Sequence, residues 1–195
     1  MNVLGTEYSH SEFKKLVTSK TKLFNVNDAI ISQYYYMSTK ISGLNPLIPI
    51  LDIVGYEYME ISQKNIGRVI DTTEKKFGKL REFNTWVEGV KAHIDIITIY
   101  MGLGDSEFEK TMYSEAKNTS IGTYKDFVNR VLIGAQVFGL EVSESDLYAS
   151  SYISQLSEKG IIVDKSYWQK ALLTSDGKVK ASSVVSLMKK VLKKL

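Results

Sequence analysis

A glutamate near an apolar helical stretch is the first residue of this sequence that could perform acid–base chemistry. Glu57 comes three residues after Val54 and four after Ile53, at the edge of the apolar face of a predicted helix. Apolar surroundings raise the pKa of a carboxyl group toward neutrality, where it can donate a proton. Glu60, one turn further on, or Asp71 is a candidate second acidic group. The alternative interpretation of Glu57 is a solvated residue at the helix boundary.

A second group of candidates lies on one predicted helix further along the chain. His93 is seven residues after Trp86 and four residues from both Gly89 and Ile97, so all four lie on or near one face. An imidazole can act as a general acid or base, and an indole can stack on a sugar ring. The pattern favours the alternative for both residues, which is a half-buried histidine bonded within the protein and a core tryptophan.

Composition excludes several other kinds of site. The chain has no cysteine, which excludes disulfides, thiolate metal sites, iron–sulfur clusters and cysteine nucleophiles. The two histidines, His10 and His93, are too few for us to expect a histidine-built metal centre. There is no Gly-x-Ser-x-Gly motif, and Gly102-Leu103-Gly104 lacks the third glycine of a dinucleotide-binding loop. We therefore expect neither a metal nor a cofactor.

The elements that must position these residues are mostly helices, as judged from apolar residues spaced three and four apart. The stretch 62–82 is less regular and predicts a short hairpin or loop. Glycine and serine in 139–143 indicate a linker, which divides the chain into residues 1–140 and 141–195. The predicted helices run from Asn25 or Asn27 to Ser42, from Pro46 to Ile61, from Asn84 or Thr85 to Met101, and over 106–118, 123–138, 145–159, 165–172 and 181–195.

Length and charge describe an ordinary folded chain. Its 195 residues are 44% hydrophobic and 24% charged, which is typical of a packed globular protein. The net charge of +3 is too small to imply a nucleic-acid partner. The longest apolar run, residues 44–58, is interrupted by prolines and acids, so we expect no membrane span. Six lysines from Lys178 onward predict an amphipathic helix that docks on a small core or contacts an anionic polymer, nucleic acid or membrane surface.

Three stretches together resemble a known family. The first is the run Phe83-Asn84-Thr85-Trp86-Val87-Glu88-Gly89-Val90-Lys91-Ala92-His93-Ile94. The second lies upstream and extends from Gly43-Leu44-Asn45-Pro46-Leu47 through Ile53-Val54-Gly55-Tyr56-Glu57, and the third, Asn65-Ile66-Gly67, lies between them. This arrangement is similar to the bacterial and phage N-acetylglucosaminidase family of lysozyme-like peptidoglycan hydrolases. In that family a helix ending in the catalytic glutamate precedes an asparagine-rich turn and a helix with a Glu-Gly-Val-basic-Ala-His run.

The resemblance implies a mainly α, lysozyme-like helical domain over 1–140 with a small irregular or β insertion. It also implies a small helical module over 141–195, where Gly160-Ile161-Ile162 and Tyr167-Trp168 resemble short modules of cell-wall hydrolases. The implied substrate is peptidoglycan or another cell-wall glycan. The implied site has Glu57 and Glu60 as catalytic residues and, as substrate-binding residues, Tyr58, Asn65, Trp86 and His93.

Two departures from the family pattern leave a second interpretation open. Tyr56-Glu57-Tyr58-Met59 stands where the family has His-Glu-Thr-Gly, and Glu57 and Asn65 are eight positions apart where the family has a longer β-lobe. The alternative is a catalytically inactive lysozyme-like structural or binding protein of a phage particle or cell wall, with other phage proteins as partners. We expect no signal peptide, synthesis in the cytoplasm, and a place in a virion or cell wall after assembly or lysis.

Overall fold

The computed structural model describes residues 4, 7–21, 28–41, 44–56, 64–67, 69, 80–101, 124–158, 185, 188–189 and 191–193. The predicted mainly helical class is confirmed. Glu57, Tyr58, Glu60 and Asp71 lie outside the described residues, as do most of the predicted β insertion and the predicted helices 106–118 and 165–172. Six helices lie within the described ranges: α1 (His10–Lys20), α2 (Asp28–Thr39), α3 (Leu47–Val54), α4 (Trp86–Tyr100), α5 (Tyr124–Phe138) and α6 (Glu144–Glu158).

The first helix, α1, is absent from the sequence predictions although a local signal for it exists. Ser9 and Glu12 form a capping box, in which the Ser9 hydroxyl accepts from the Glu12 backbone N–H and the Glu12 carboxylate accepts from the Ser9 backbone N–H. Phe13 and Val17, one turn apart, bury the apolar face of the helix. Thus α1 packs against α2 and covers one side of the core.

Helix α3 is the most apolar element and lies at the centre of the fold. Each residue from Leu47 to Ile53 is buried. The helix ends at Val54: the Gly55 backbone N–H makes the last helical bond, to Leu51 O, and the Tyr56 backbone N–H bonds to Ile53 O in a tighter turn. The prediction that this helix continues to Ile61 is therefore wrong, and Glu57 comes two residues after the turn begins.

Helices α3 and α5 approach each other very closely because two glycines face the neighbouring backbone. A Cβ atom added at Gly134 would overlap the carbonyl oxygen of Leu51, and one added at Gly55 would overlap that of Arg130. Packing at this distance brings the side chains of α5 up to the polar residue in the middle of α3. The glycines therefore set the geometry of the buried site described below.

Helix α4 begins at Trp86, as the sequence predicts, and its start is fixed by a second capping box. The Thr85 hydroxyl accepts from the Glu88 backbone N–H, and the Glu88 carboxylate accepts from the backbone N–H of Thr85 and of Asn84. The helix packs on α2 and α3 through a buried face that includes Val90, Ile94 and Ile97.

The chain before α4 is held by one buried asparagine. The amide of Asn65 donates to the carbonyl oxygens of Val69 and Arg81 at 2.7 and 2.8 Å, and its carbonyl accepts from the Val69 backbone N–H at 2.7 Å. The Arg81 backbone N–H also bonds to Val69 O. Asn65 thus connects Val69 to Arg81, which lie on either side of residues 70–79 in the sequence.

The last described part of the chain has its own small apolar cluster. The Asp146 carboxylate accepts from the backbone N–H and the hydroxyl of Ser143, which caps the start of α6. The buried side chains of α6 contact two different apolar clusters. Leu147 and Ala149 belong to the main core, whereas Ile153 and Leu156 pack with Met188. The boundary between 1–140 and 141–195 stays a prediction. Among the described residues, no helix combines the length and apolar character that crossing a membrane requires.

Candidate functional site

Four polar side chains from four helices meet inside the core. Tyr34 comes from α2, Asp52 from α3, His93 from α4 and Arg130 from α5, and we call this set the buried polar cluster. His93 Nε2 lies 3.0 Å from Asp52 Oδ2, and His93 Nδ1 lies 3.0 Å from the Tyr34 hydroxyl. Arg130 Nε donates to Asp52 Oδ1 at 2.8 Å. The cluster therefore links all four central helices by hydrogen bonds between side chains.

The cluster is closed to solvent on its His93 side. Asp52 and His93 are each 1% exposed and Tyr34 is fully buried. The Arg130 side chain is 14% exposed, so it lies at the edge of the cluster. Burial of a charged pair has a large desolvation cost, which is offset here because each carboxylate oxygen of Asp52 has a hydrogen-bond donor.

The hydrogen bonds fix the donors around the Asp52 carboxylate. Arginine stays protonated in proteins, so Arg130 donates to Asp52 Oδ1 as one half of an ion pair. Asp52 Oδ2 accepts from His93 Nε2–H. The donor in the contact between His93 Nδ1 and the Tyr34 hydroxyl is set by the His93 tautomer. The cluster thus forms a continuous chain of hydrogen bonds from Tyr34 through His93 to Asp52.

Burial shifts the pKa of three groups in and beside the cluster. It raises the pKa of Tyr34 well above the ordinary value of 10.0, and the negative charge of Asp52 acts in the same direction. It also raises the pKa of Tyr100, which Arg130 partly opposes. Burial is the strongest single influence on Arg130 and acts to lower its pKa, but the charge and hydrogen bond of Asp52 together with the nearby Tyr56 and Tyr100 hydroxyls outweigh it, so the pKa is raised. Each of these groups therefore keeps its proton at neutral pH.

The cluster also holds both ends of the segment 57–63. On one side, the Arg130 guanidinium lies over the Tyr56 ring, 4.7 Å from its centroid. On the other side, a Cβ at Gly67 would overlap the His93 ring, so the Gly67 backbone packs directly on the imidazole. The Lys64 ammonium donates to Asn84 O at 2.7 Å, just before α4. The residues that flank 57–63 are therefore fixed: Tyr56 lies just after the C-terminal end of α3, and Lys64 is bonded just before the N-terminal end of α4.

The expected substrate-binding residues in the described structure lie inside rather than on a ligand surface. His93 and Asn65 are each 1% exposed, and the ring nitrogens of one and the amide of the other bond to protein groups. Trp86 is partly buried and packs against the main core. Protein groups therefore occupy the polar atoms of His93 and Asn65, which position the surrounding chain, and contact of these residues with substrate stays a prediction.

Asp52, Arg130 and Tyr34 are the site residues that the sequence reasoning missed. Asp52 carries a recognisable signal, because it is the one charged residue in the otherwise apolar α3 and a charge there needs a buried partner. Its partners could not be identified, since Arg130 is 78 positions and His93 41 positions away. Among the described residues, no three potential metal-ligating side chains come together.

What the buried polar cluster can do chemically is hold the His93 ring in a fixed orientation. Hydrogen bonds to a phenol on one side and to an ion-paired carboxylate on the other hold the imidazole ring in one orientation. Since solvent does not reach it, that orientation serves the protein backbone packed on it, namely Gly67 and the chain on either side. Comparison with protein families, curated proteins and solved structures finds no match for this chain.

Proposed function

We propose that this chain is a glucosaminidase-type, peptidoglycan hydrolase-like protein whose general acid is Glu57. The observation that carries the proposal is the fixation of both ends of segment 57–63 by the buried polar cluster and α4. Arg130 holds Tyr56 on one side, and Gly67 packs on His93 on the other. Catalysis needs an acid held in a defined place, and these contacts supply fixed anchors for the segment that carries Glu57.

The proposed chemistry is cleavage of a glycosidic bond in the glycan strand. Glu57 would protonate the leaving oxygen, and a second carboxylate, for which Glu60 is the candidate, would stabilise the oxocarbenium ion or activate water. Asp52 is not suited to either role, because its oxygens are bonded to His93 and Arg130. Its proposed contribution is indirect, through Arg130, to the position of Tyr56 beside Glu57.

Zymography on purified peptidoglycan tests the proposal. Glu57→Gln removes the proton donor with little change in volume, so we expect clearing to fall about 100-fold or more. Glu82→Gln is the matched control, because Glu82 is an exposed glutamate just before α4. Clearing by the wild type that survives Glu57→Gln unchanged would contradict the assignment of Glu57. Equal loss in both variants would also contradict it.

A second candidate function is a catalytically inactive lysozyme-like module that binds cell-wall glycan or another protein of a phage particle. The observation that favours it is the ion pair of Asp52 with Arg130, which removes this buried carboxylate from the candidates for a second catalytic group. The departures from the family pattern at Tyr56-Glu57-Tyr58-Met59 support it as well. Co-sedimentation with purified cell-wall sacculi, without release of reducing ends, is the expected result. Efficient glycan cleavage by the wild type would eliminate it.

A further inference from the structure

A group of aromatic rings lies at the junction of α1 and α2, on residues that the hydrolase proposal does not use. His10, Tyr35 and Tyr36 form this group, which we call the aromatic platform. The His10 ring centroid is 5.1 Å from that of Tyr35 and 4.9 Å from that of Tyr36. The two tyrosine rings are 5.4 Å apart and nearly perpendicular. The three rings thus form one continuous aromatic surface.

Hydrogen bonds and packing within the protein fix two of the three rings of the platform, Tyr35 and His10. The Tyr35 hydroxyl donates to Tyr8 O at 2.9 Å, and the Tyr35 ring packs against buried Phe13. His10 Nε2 lies 2.9 Å from the Ser32 hydroxyl, which joins α1 to α2. Rings that are already fixed lose little conformational entropy when a ligand binds.

Tyr36 is the exposed ring of the platform. Its side chain is 51% exposed although the ring contacts two others, and His10 and Tyr35 are half-buried. The Tyr36 hydroxyl lies 3.5 Å from His10 Nδ1, at the outer limit of a hydrogen bond. A ligand hydroxyl could therefore replace this weak contact and bond to either group at little cost.

Among the described residues, the nearest ion pair to the platform joins the same two helices. Lys14, one turn after His10, pairs with Asp28, one turn before Ser32. These two charges therefore neutralise each other. An aromatic surface with hydroxyl and imidazole edges suits a neutral sugar, which has a C–H face for stacking and hydroxyls around its rim. By contrast, the exposed large hydrophobic side chains of α5, Ile133 and Val137, are aliphatic.

We propose that the aromatic platform is a binding site for a neutral glycan, with an N-acetylhexosamine ring stacked on Tyr36 and its hydroxyls bonded to His10 Nδ1 and the Tyr36 hydroxyl. The choice of glycan rests on the proposed function. Tyr34 points to the buried polar cluster, and Tyr36 is two residues further, or about 200° around the helix. The platform therefore faces away from the cluster and forms a separate subsite that holds the substrate strand.

Titration of the full-length protein with the N-acetylglucosamine tetramer tests the site. We expect Tyr36→Ala to weaken binding about 3- to 10-fold, in line with the loss of one aromatic contact. Tyr36→Phe keeps the ring and should keep most of the affinity. Val137→Ala, at an exposed position on α5, is the control for a remote surface change. Circular dichroism checks that the variants are folded.

The outcomes separate this site from the hydrolase proposal. Tetramer binding that falls in Tyr36→Ala but persists in Glu57→Gln supports the platform, whether or not the wild type cleaves peptidoglycan. Equal affinity of the wild type and Tyr36→Ala overturns the platform, even if zymography shows cleavage that depends on Glu57. No binding of the tetramer by the wild type overturns it as well. An equal loss in Val137→Ala and Tyr36→Ala does the same.

Discussion

The 3.0 Å hydrogen bond between His93 Nε2 and Asp52 Oδ2 joins α4 to α3 inside the core. The two residues are 41 positions apart, and each is almost fully buried. Because Arg130 bonds to the other oxygen of the same carboxylate, Asp52 connects three helices at one point. A buried ionic group of this kind is a poor source of net stability, yet it is costly to disrupt. We infer that it specifies how the helices are arranged.

The first prediction concerns loss of the Asp52 charge. Asp52→Asn keeps the shape of the side chain but leaves Arg130 as a buried cation without its carboxylate partner. We expect the free energy of unfolding to fall by about 3–5 kcal/mol. Denaturation in urea, followed by circular dichroism, measures it.

The matched control for that variant is Asp95→Asn. Asp95 forms an exposed ion pair with Lys91 on α4, so its loss should change stability by less than about 0.5 kcal/mol. Adding Arg130→Gln to Asp52→Asn should recover part of the loss, because the unpaired cation is then removed. Equal stability of Asp52→Asn and Asp95→Asn would contradict the buried ion pair.

The second prediction concerns the close contact of α3 and α5. Gly134→Ala places a methyl group against the backbone of Leu51, where neither helix can move without disturbing the core. We expect a loss of about 1–3 kcal/mol, although alanine favours helix formation in isolation. Gln136→Ala, an exposed position on the same helix, is the control and should be near neutral. Stabilisation by Gly134→Ala would show that the helices lie further apart.

The helical class and several helix limits follow from local rules and could be read from the sequence. The apolar spacing of α4 and the Thr85 cap predict its start, because both signals lie within a few residues. The same kind of signal exists for α1 in Ser9 and Glu12, but the surrounding residues are mostly polar and the apolar spacing there is weak. The end of α3 was missed because the turn at Gly55 interrupts a run of apolar residues that continues the helical spacing.

The buried polar cluster could be predicted only in part. The interpretation of His93 as a residue bonded within the protein agrees with the structure, because its helix face is otherwise apolar. Its partners depend on how four helices pack, and two glycines facing neighbouring backbone decide that packing. Nothing in the residues around Asp52 indicates that an arginine 78 positions later will reach it. Local patterns therefore identified the histidine, and tertiary packing determined its role.

The third prediction is a pH dependence that originates in Tyr34. Burial raises the pKa of Tyr34 above the ordinary 10.0, so the folded state keeps the phenol proton at a pH where the unfolded state loses it. The stability contributed by neutral Tyr34 is fully present below the ordinary value. It is lost as the pH rises from there toward the raised pKa of the folded state.

Tyr34→Phe removes this titration, and the free energy of unfolding should then fall less steeply with rising pH above about 10. The variant also loses the hydrogen bond to His93, so its stability at neutral pH should be lower by about 1 kcal/mol. Urea denaturation at several alkaline pH values separates the two effects, since one changes the slope and the other the intercept. Tyr36→Phe removes a phenol from the exposed side of the same helix and is the matched control. An identical change of slope in both variants would mean that the buried hydroxyl of Tyr34 is not the source of the alkaline sensitivity.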